Sequence, residues 1–237
     1  MTTGTILATS GGFARDARDN LVPTGLIKKA LSLSGAERPK LCFVPTASGD
    51  ATQYVQLTYA AFAGWSVDVS HLALFPMPNV DDPRAHLLGQ DVIWVGGGSV
   101  AGLLAMWRVH GLDQIMREAW ESGIVLAGVS AGSICWHVGG TTDSFGPDLQ
   151  PVTNGLGLLP YGNGVHHDVE DQRRPVLHRL VADGTLPTTY ATDDGVGLHY
   201  AGTEWVGAYA EKPDAAAYLV EATGGVARET RLDVTDV

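Results

Sequence analysis

Gly128-Val129-Ser130-Ala131-Gly132 follows directly on the apolar run Gly123-Ile124-Val125-Leu126-Ala127. A buried strand that ends in G-x-S-x-G and turns at once into a helix has the form of a nucleophile elbow. The flanking glycines permit a tight turn that a Cβ would obstruct. Such a turn holds the serine oxygen clear at the carboxyl end of a sheet, so Ser130 is the candidate for covalent catalysis.

A serine of this kind needs a base in hydrogen-bond reach, an acid to orient that base, and donors for an oxyanion. Among the eight histidines, His71 and His86 fall in or near turns, and His110 and His178 in helical stretches. His137 is expected on the elbow helix, pointing elsewhere. His166 and His167 differ, because they follow the loop-to-strand passage Tyr161-Gly162-Asn163-Gly164-Val165 and precede the charged run 168–174. A histidine at a strand end can face an elbow serine across the sheet, so one of this pair is the expected base. For the acid, Asp143 lies between nucleophile and base in a Gly/Thr/Ser-rich segment, and Asp168 follows His166 closely. Glu170, Asp193 and Asp194 are weaker rivals, and residue chemistry alone does not choose.

Gly96-Gly97-Gly98 ends the strand expected beside the elbow strand, where glycine lets backbone amides approach a ligand. With the amide of Ala131, this loop would form the oxyanion hole. The run from Gly96 to Ala101 also satisfies G-x-G-x-x-A, the dinucleotide fingerprint. That fingerprint requires an acidic residue at the end of the next strand. Glu118 and Glu121 fall in a helix instead, so a nucleotide site is disfavoured. A metal set of His166, His167 and Asp168 has no recognised spacing and needs further ligands. No cofactor or metal is expected.

The elements that would position these groups alternate along the first two thirds of the chain. Strands are expected at 5–9, 40–45, 66–72, 91–95 and 123–127, and helices at 22–33, 51–63, 100–109 and 112–122. This alternation implies βαβ units and a mostly parallel sheet covered by helices on both faces. The last third reads as short strands at 188–192, 197–200, 204–209 and 218–220, taken as hairpins that continue or cap the sheet. The fold class is thus α/β, and residues 1–237 are expected to form one domain.

A chain of 237 residues that is 45% hydrophobic can bury a large core. Its net charge of −11 argues against non-specific nucleic-acid binding and against anionic membranes. Cys42 and Cys135 lack the spacing of a disulfide framework or a zinc site and are expected to be core thiols. No basic segment followed by a long apolar run opens the chain, which predicts a cytoplasmic protein.

Four features in this order carry a resemblance. They are Val95-Gly96-Gly97-Gly98, the elbow 128–132, Thr141-Thr142-Asp143, and His166 ahead of Gln172-Arg173-Arg174. Together they resemble the peptidase E group of serine peptidases, the S51 family that also contains cyanophycinases, over roughly residues 6–200. The resemblance implies a class I glutamine amidotransferase-like fold rather than an α/β-hydrolase. It implies Ser130 as nucleophile, His166 as base and Asp143 as acid, with Gly97 or Gly98 and Ala131 as oxyanion donors. Amidotransferase-like relatives place the acid two residues after the histidine, which keeps Asp168 as the rival. Position 99 is Ser where the dipeptidases often have Asn. In the aspartyl dipeptidases an arginine shortly after the histidine recognises the substrate's Asp side chain. That position falls near Glu170 here, with Arg173 close by, so strict Asp-X specificity is not implied. The expected partner is a small peptide, with a homodimer left open. The alternatives are hydrolysis of β-aspartyl-linked substrates and a catalytically silent binding protein on the same scaffold.

Overall fold

Alternating apolar side chains account for a sheet buried on both faces. In β1 (Thr5–Thr9), Ile6 and Ala8 enter one core cluster while Leu7 enters another. The computed structural model describes residues 4–169 and 171–237. After β1 come a small ribbon, β2 (Phe13–Arg15) and β3 (Leu21–Pro23), and helix α1 (Gly25–Leu33). The helix expected from residue 22 starts later because Pro23 biases the residue before it toward extended backbone, and Val22 instead pairs with Ala14.

β4 (Lys40–Val44), α2 (Thr52–Ala61), β5 (Asp68–His71), α3 (Pro83–Leu88) and β6 (Val92–Val95) follow. Next are α4 (Val100–His110), α5 (Leu112–Glu121) and β7 (Val125–Val129). These strands pair in parallel in the order β5-β4-β6-β7-β1. Ile27 and Leu31 of α1 and Val55 of α2 cover one face against Phe43 and Trp94. Leu103, Leu104 and Trp107 of α4 and Met116 of α5 cover the other against Ile93, Val95 and Leu126. Cys42 and Cys135 are buried and free, and burial pushes the Cys42 thiol up to about 12.

The elbow helix α6 (Ala131–Ile134) is short and gives way to β8 (His137–Thr142). His137 therefore stands on a strand, not on the elbow helix. Its strand carries Gly139, where an added Cβ would overlap the Val152 carbonyl, so close strand pairing ends the helix early. β9 (Gln150–Val152), β10 (Leu159–Gly164), α7 (Arg173–Ala182) and β11 (Thr189–Thr192) come next. The chain ends with β12 (Val196–Ala201), β13 (Glu204–Ala210), β14 (Ala217–Thr223), β15 (Val226–Leu232) and β16 (Thr235–Asp236).

The C-terminal strands divide between two sheets. β12, β13 and β16 extend the main sheet past β1, while β11, β14 and β15 join β10, β8 and β9 in a six-stranded second sheet. The result is a mixed α/β fold with a parallel sheet flanked by helices. The main core cluster continues into the second sheet through Val152, Leu159 and Ala217. α7 packs Leu177, Leu180 and Val181 against Ala191 and Val220 of that sheet. Among the described residues, no helix is long and apolar enough to cross a membrane.

His137 carries a consequence for stability. It is fully buried, its Nδ1–H donates to the Ser133 carbonyl at 2.9 Å, and burial lowers its pKa from 6.5 to about 4, the Ser133 bond opposing. Between those values the unfolded chain binds a proton that the folded chain does not, so stability rises with pH across this window. The loss on acidification from pH 6.5 to 4 is about 3 kcal/mol. His137→Asn, which keeps a donor toward Ser133, should flatten the Tm-against-pH profile between pH 4 and 6.5. An unchanged slope would remove His137 from the account.

Candidate active site

Ser130 begins the site with a backbone that few residues tolerate. It follows β7 with φ 57° and ψ −111°, a strained conformation for a side chain with a Cβ. The main chain over-determines that turn. The Ser130 amide donates to the Thr9 carbonyl at 2.9 Å, and its carbonyl accepts from the Ser133 and Ile134 amides at 2.8 and 2.9 Å. A Cβ on Gly132 would overlap the Val95 carbonyl, and one on Gly128 would press on the Gly132 and Val95 carbonyls. The elbow glycines thus reflect the packing of α6 against the end of β6.

The glycine loop after β6 lies against this turn. Its ends are fixed by the Gly96 amide on the Val44 carbonyl at 3.0 Å and the Ser99 amide on the Ala47 carbonyl at 2.8 Å. A Cβ on Gly97 would stand 3.4 Å from the Ser130 Cβ, while Gly98 has φ 135° and its Cβ would overlap the Ala47 carbonyl. The Tyr54 ring lies beside Gly96, and burial raises the pKa of its phenol. Among the described residues the Gly98 and Ala131 amides donate to no protein acceptor.

His166 follows the end of β10 with φ 54°. Its amide donates to Ser10 Oγ at 3.1 Å, and Ser10 Oγ in turn contacts Thr192 Oγ1 at 2.7 Å. Its Nδ1 is hydrogen-bonded to Asp194 Oδ1. The Asp194 amide donates to Asp168 Oδ1 at 2.8 Å, and Lys212 Nζ lies 3.5 Å from Asp194 Oδ2. The His166 hydrogen bond holds the Asp194 carboxyl below the usual carboxylate range, with burial opposing and Lys212 assisting. Asp193 faces away, accepting from the Ala216 amide and the Tyr218 hydroxyl at 3.0 Å each, and burial raises its pKa.

Ser130, His166, Gly98, Asp143, Arg173 and Asp194 all line one cavity of about 470 Å³. The sequence-predicted acid, Asp143, sits exposed on its wall. The carboxylate on His166 Nδ1 is Asp194 instead. β10 lies between β8 and β11, all parallel, so Asp143 and Asp194 emerge from strands on opposite sides of it. The amide of His167 donates to the Thr192 carbonyl at 3.0 Å, which ties the histidine loop to the β11 side. Asp168 does not orient the imidazole directly; it holds the turn that carries Asp194. Arg173 is buried and bonds the Val165 carbonyl at 3.5 Å while lining the cavity. Glu170 lies outside the described residues. Ser10, Tyr54 and Lys212 were not singled out by sequence. Asp194 carried one usable signal, its place just past the strand that ends at Thr192.

Solved and curated proteins give this geometry a context. The chain is 42% identical to a Bacillus subtilis protein named uncharacterized peptidase YgaJ, over 91% of each sequence. It is 26% identical to a Shewanella denitrificans peptidase E, over 67% of this chain and 70% of that one. The crystal structure of a peptidase from an acI-B1 Actinobacterium superposes with a TM-score of 0.70 at 18% identity, over 98% of this chain and 95% of the other. The family model for peptidase family S51 matches residues 6–206, and the chain belongs to that family.

Proposed function

We propose that this chain is a serine peptidase that hydrolyses dipeptides or short peptides through an acyl-enzyme on Ser130. The observation that carries this reading is the His166–Asp194 pair in the same cavity as a strained elbow serine. Asp194 accepts from His166 Nδ1–H, which leaves Nε2 as the base. Ser130 Oγ attacks the scissile carbonyl as Nε2 takes its proton, and that proton then goes to the leaving amine. Water enters by the same route and releases the acyl group. The developing oxyanion is received by the Gly97 or Gly98 amide together with the Ala131 amide. Loss of one such donor typically costs about 100- to 1000-fold in rate.

Arg173 supplies a cation on the cavity wall and is the residue proposed to face an acidic group of the substrate. A cavity of about 470 Å³ suits a small peptide rather than a folded protein. The test combines a fluorophosphonate probe with a dipeptide panel of Asp-X, neutral X-X and isoaspartyl substrates. Labelling at Ser130 and turnover of α-linked dipeptides are the expected results. Absence of labelling would support a silent scaffold, and turnover confined to isoaspartyl substrates would support the β-aspartyl reading.

A further inference from the structure

His167 is the immediate neighbour of His166 but serves a separate cluster. Its Nε2 lies 2.8 Å from Glu229 Oε2, and His178 Nε2 lies 2.8 Å from the same oxygen. The three ligand-type atoms all fall within 4.8 Å of one another. They come from three elements: the loop after β10, helix α7 and strand β15. Arg174 Nη1 stands 3.5 Å from the other carboxylate oxygen, Oε1, and so fixes the carboxylate with Oε2 toward the imidazoles. The His167 side chain is only 1% exposed and packs against the Tyr218 ring at 5.3 Å between centroids. His178 is 31% exposed, so the cluster is reached from its side. A cavity of about 400 Å³, lined by His167, Asp168, Asp171 and Arg174, opens beside it.

We propose that His167, His178 and Glu229 form a binding site for a zinc-class divalent transition metal, distinct from the Ser130 cavity. Two imidazole nitrogens and one carboxylate oxygen are a donor set that zinc accepts, with a fourth position left for water. The nitrogen content disfavours magnesium and calcium, which take oxygen ligands. Ligand atoms of a tetrahedral zinc stand about 3.3 Å apart, from metal–ligand distances of about 2.0–2.1 Å. The observed separations of 2.8 Å therefore need to open by about half an ångström. His178, partly exposed on α7, can make that adjustment. Arg174 would serve as the outer partner that orients the carboxylate, a role ligands of this kind ordinarily require. A bound ion would tie β15 and α7 to the loop that carries His166.

The test uses the full chain after chelator treatment and needs no substrate. Cobalt(II) titration followed by visible absorption, competition by zinc and thermal melting with and without zinc are the three readouts. One equivalent of cobalt in a tetrahedral environment, displaced by zinc, and a raised Tm are expected. His178→Ala and Glu229→Gln, each checked for folding by circular dichroism, should weaken binding by at least about 100-fold, the upper end for loss of an outer partner. His71→Ala, at a half-buried histidine on β5 of the main sheet, should leave it unchanged. Absence of stoichiometric binding, or binding that survives both site variants, overturns the proposal.

Discussion

Ser130→Ala is expected to lower turnover by about a millionfold, the scale seen when a serine hydrolase loses its nucleophile. The loss should appear in kcat with the fold intact. Among the described residues Ser130 Oγ makes no hydrogen bond to the protein, and the bonds that shape the elbow come from the main chain and from the Thr9 hydroxyl on the Gly128 carbonyl. Alanine also retains the Cβ that makes φ 57° unfavourable, so the Tm should stay close to that of the parent. Ser130→Gly separates the two effects. It should be equally inactive yet more stable by about 1 kcal/mol, because relief of an outlier of this type is worth about 1–3 kcal/mol. Turnover of peptides by Ser130→Ala within tenfold of the parent would mean that the hydrolysis resides elsewhere.

Asp194→Asn carries the second large effect, a fall of about 10,000-fold in kcat, as for the equivalent change in other serine triads. An amide in this position either presents N–H groups to His166 Nδ1 or leaves the developing imidazolium without a compensating charge. Both outcomes disable Nε2 as a base. Asp143→Asn, on the exposed cavity wall, should change kcat by less than about tenfold, with any larger effect confined to KM. Asp168→Asn retains an oxygen able to accept the Asp194 amide and should also be mild. Measuring the three variants side by side on one dipeptide decides the assignment. A larger loss at Asp143 than at Asp194 would return the role to Asp143.

Most of the main sheet was legible because buried parallel strands are continuous apolar runs bounded by glycine or proline. The strands through Leu7, Phe43, Trp94 and Leu126 all follow this pattern. The elbow was legible for a related reason, since two backbone contacts that exclude a Cβ leave glycine at fixed spacing around Ser130. The second sheet was much harder to read. His137 to Thr142 begins where a helix had just started, and its strand character comes from pairing with distant segments rather than from its own periodicity. The carboxylate on His166 could not be read from chain order, for a topological reason. Chain order places Asp143 between nucleophile and base, but spatial order places the β11–β12 turn against His166. His167, His178 and Glu229 meet across 62 residues of chain, a separation no local pattern reports.

The turn that carries Asp194 is also where the chain crosses from one sheet to the other, with β11 in the second and β12 in the first. Ser130 is anchored to the first sheet, and His166 rides on the second. Ser10 couples them, through its amide and carbonyl to Val196 and Gly195 at 2.8 Å each and through its hydroxyl to His166. In the proposed reading, nucleophile and base are therefore parts of a two-piece tool whose alignment runs through this seam. Loosening of that seam would silence the chemistry while both sheets were still intact, so inactivation should run ahead of melting. Selection for activity would then bear as heavily on Ser10 and Thr192, which never meet the substrate in this scheme, as on the groups that do.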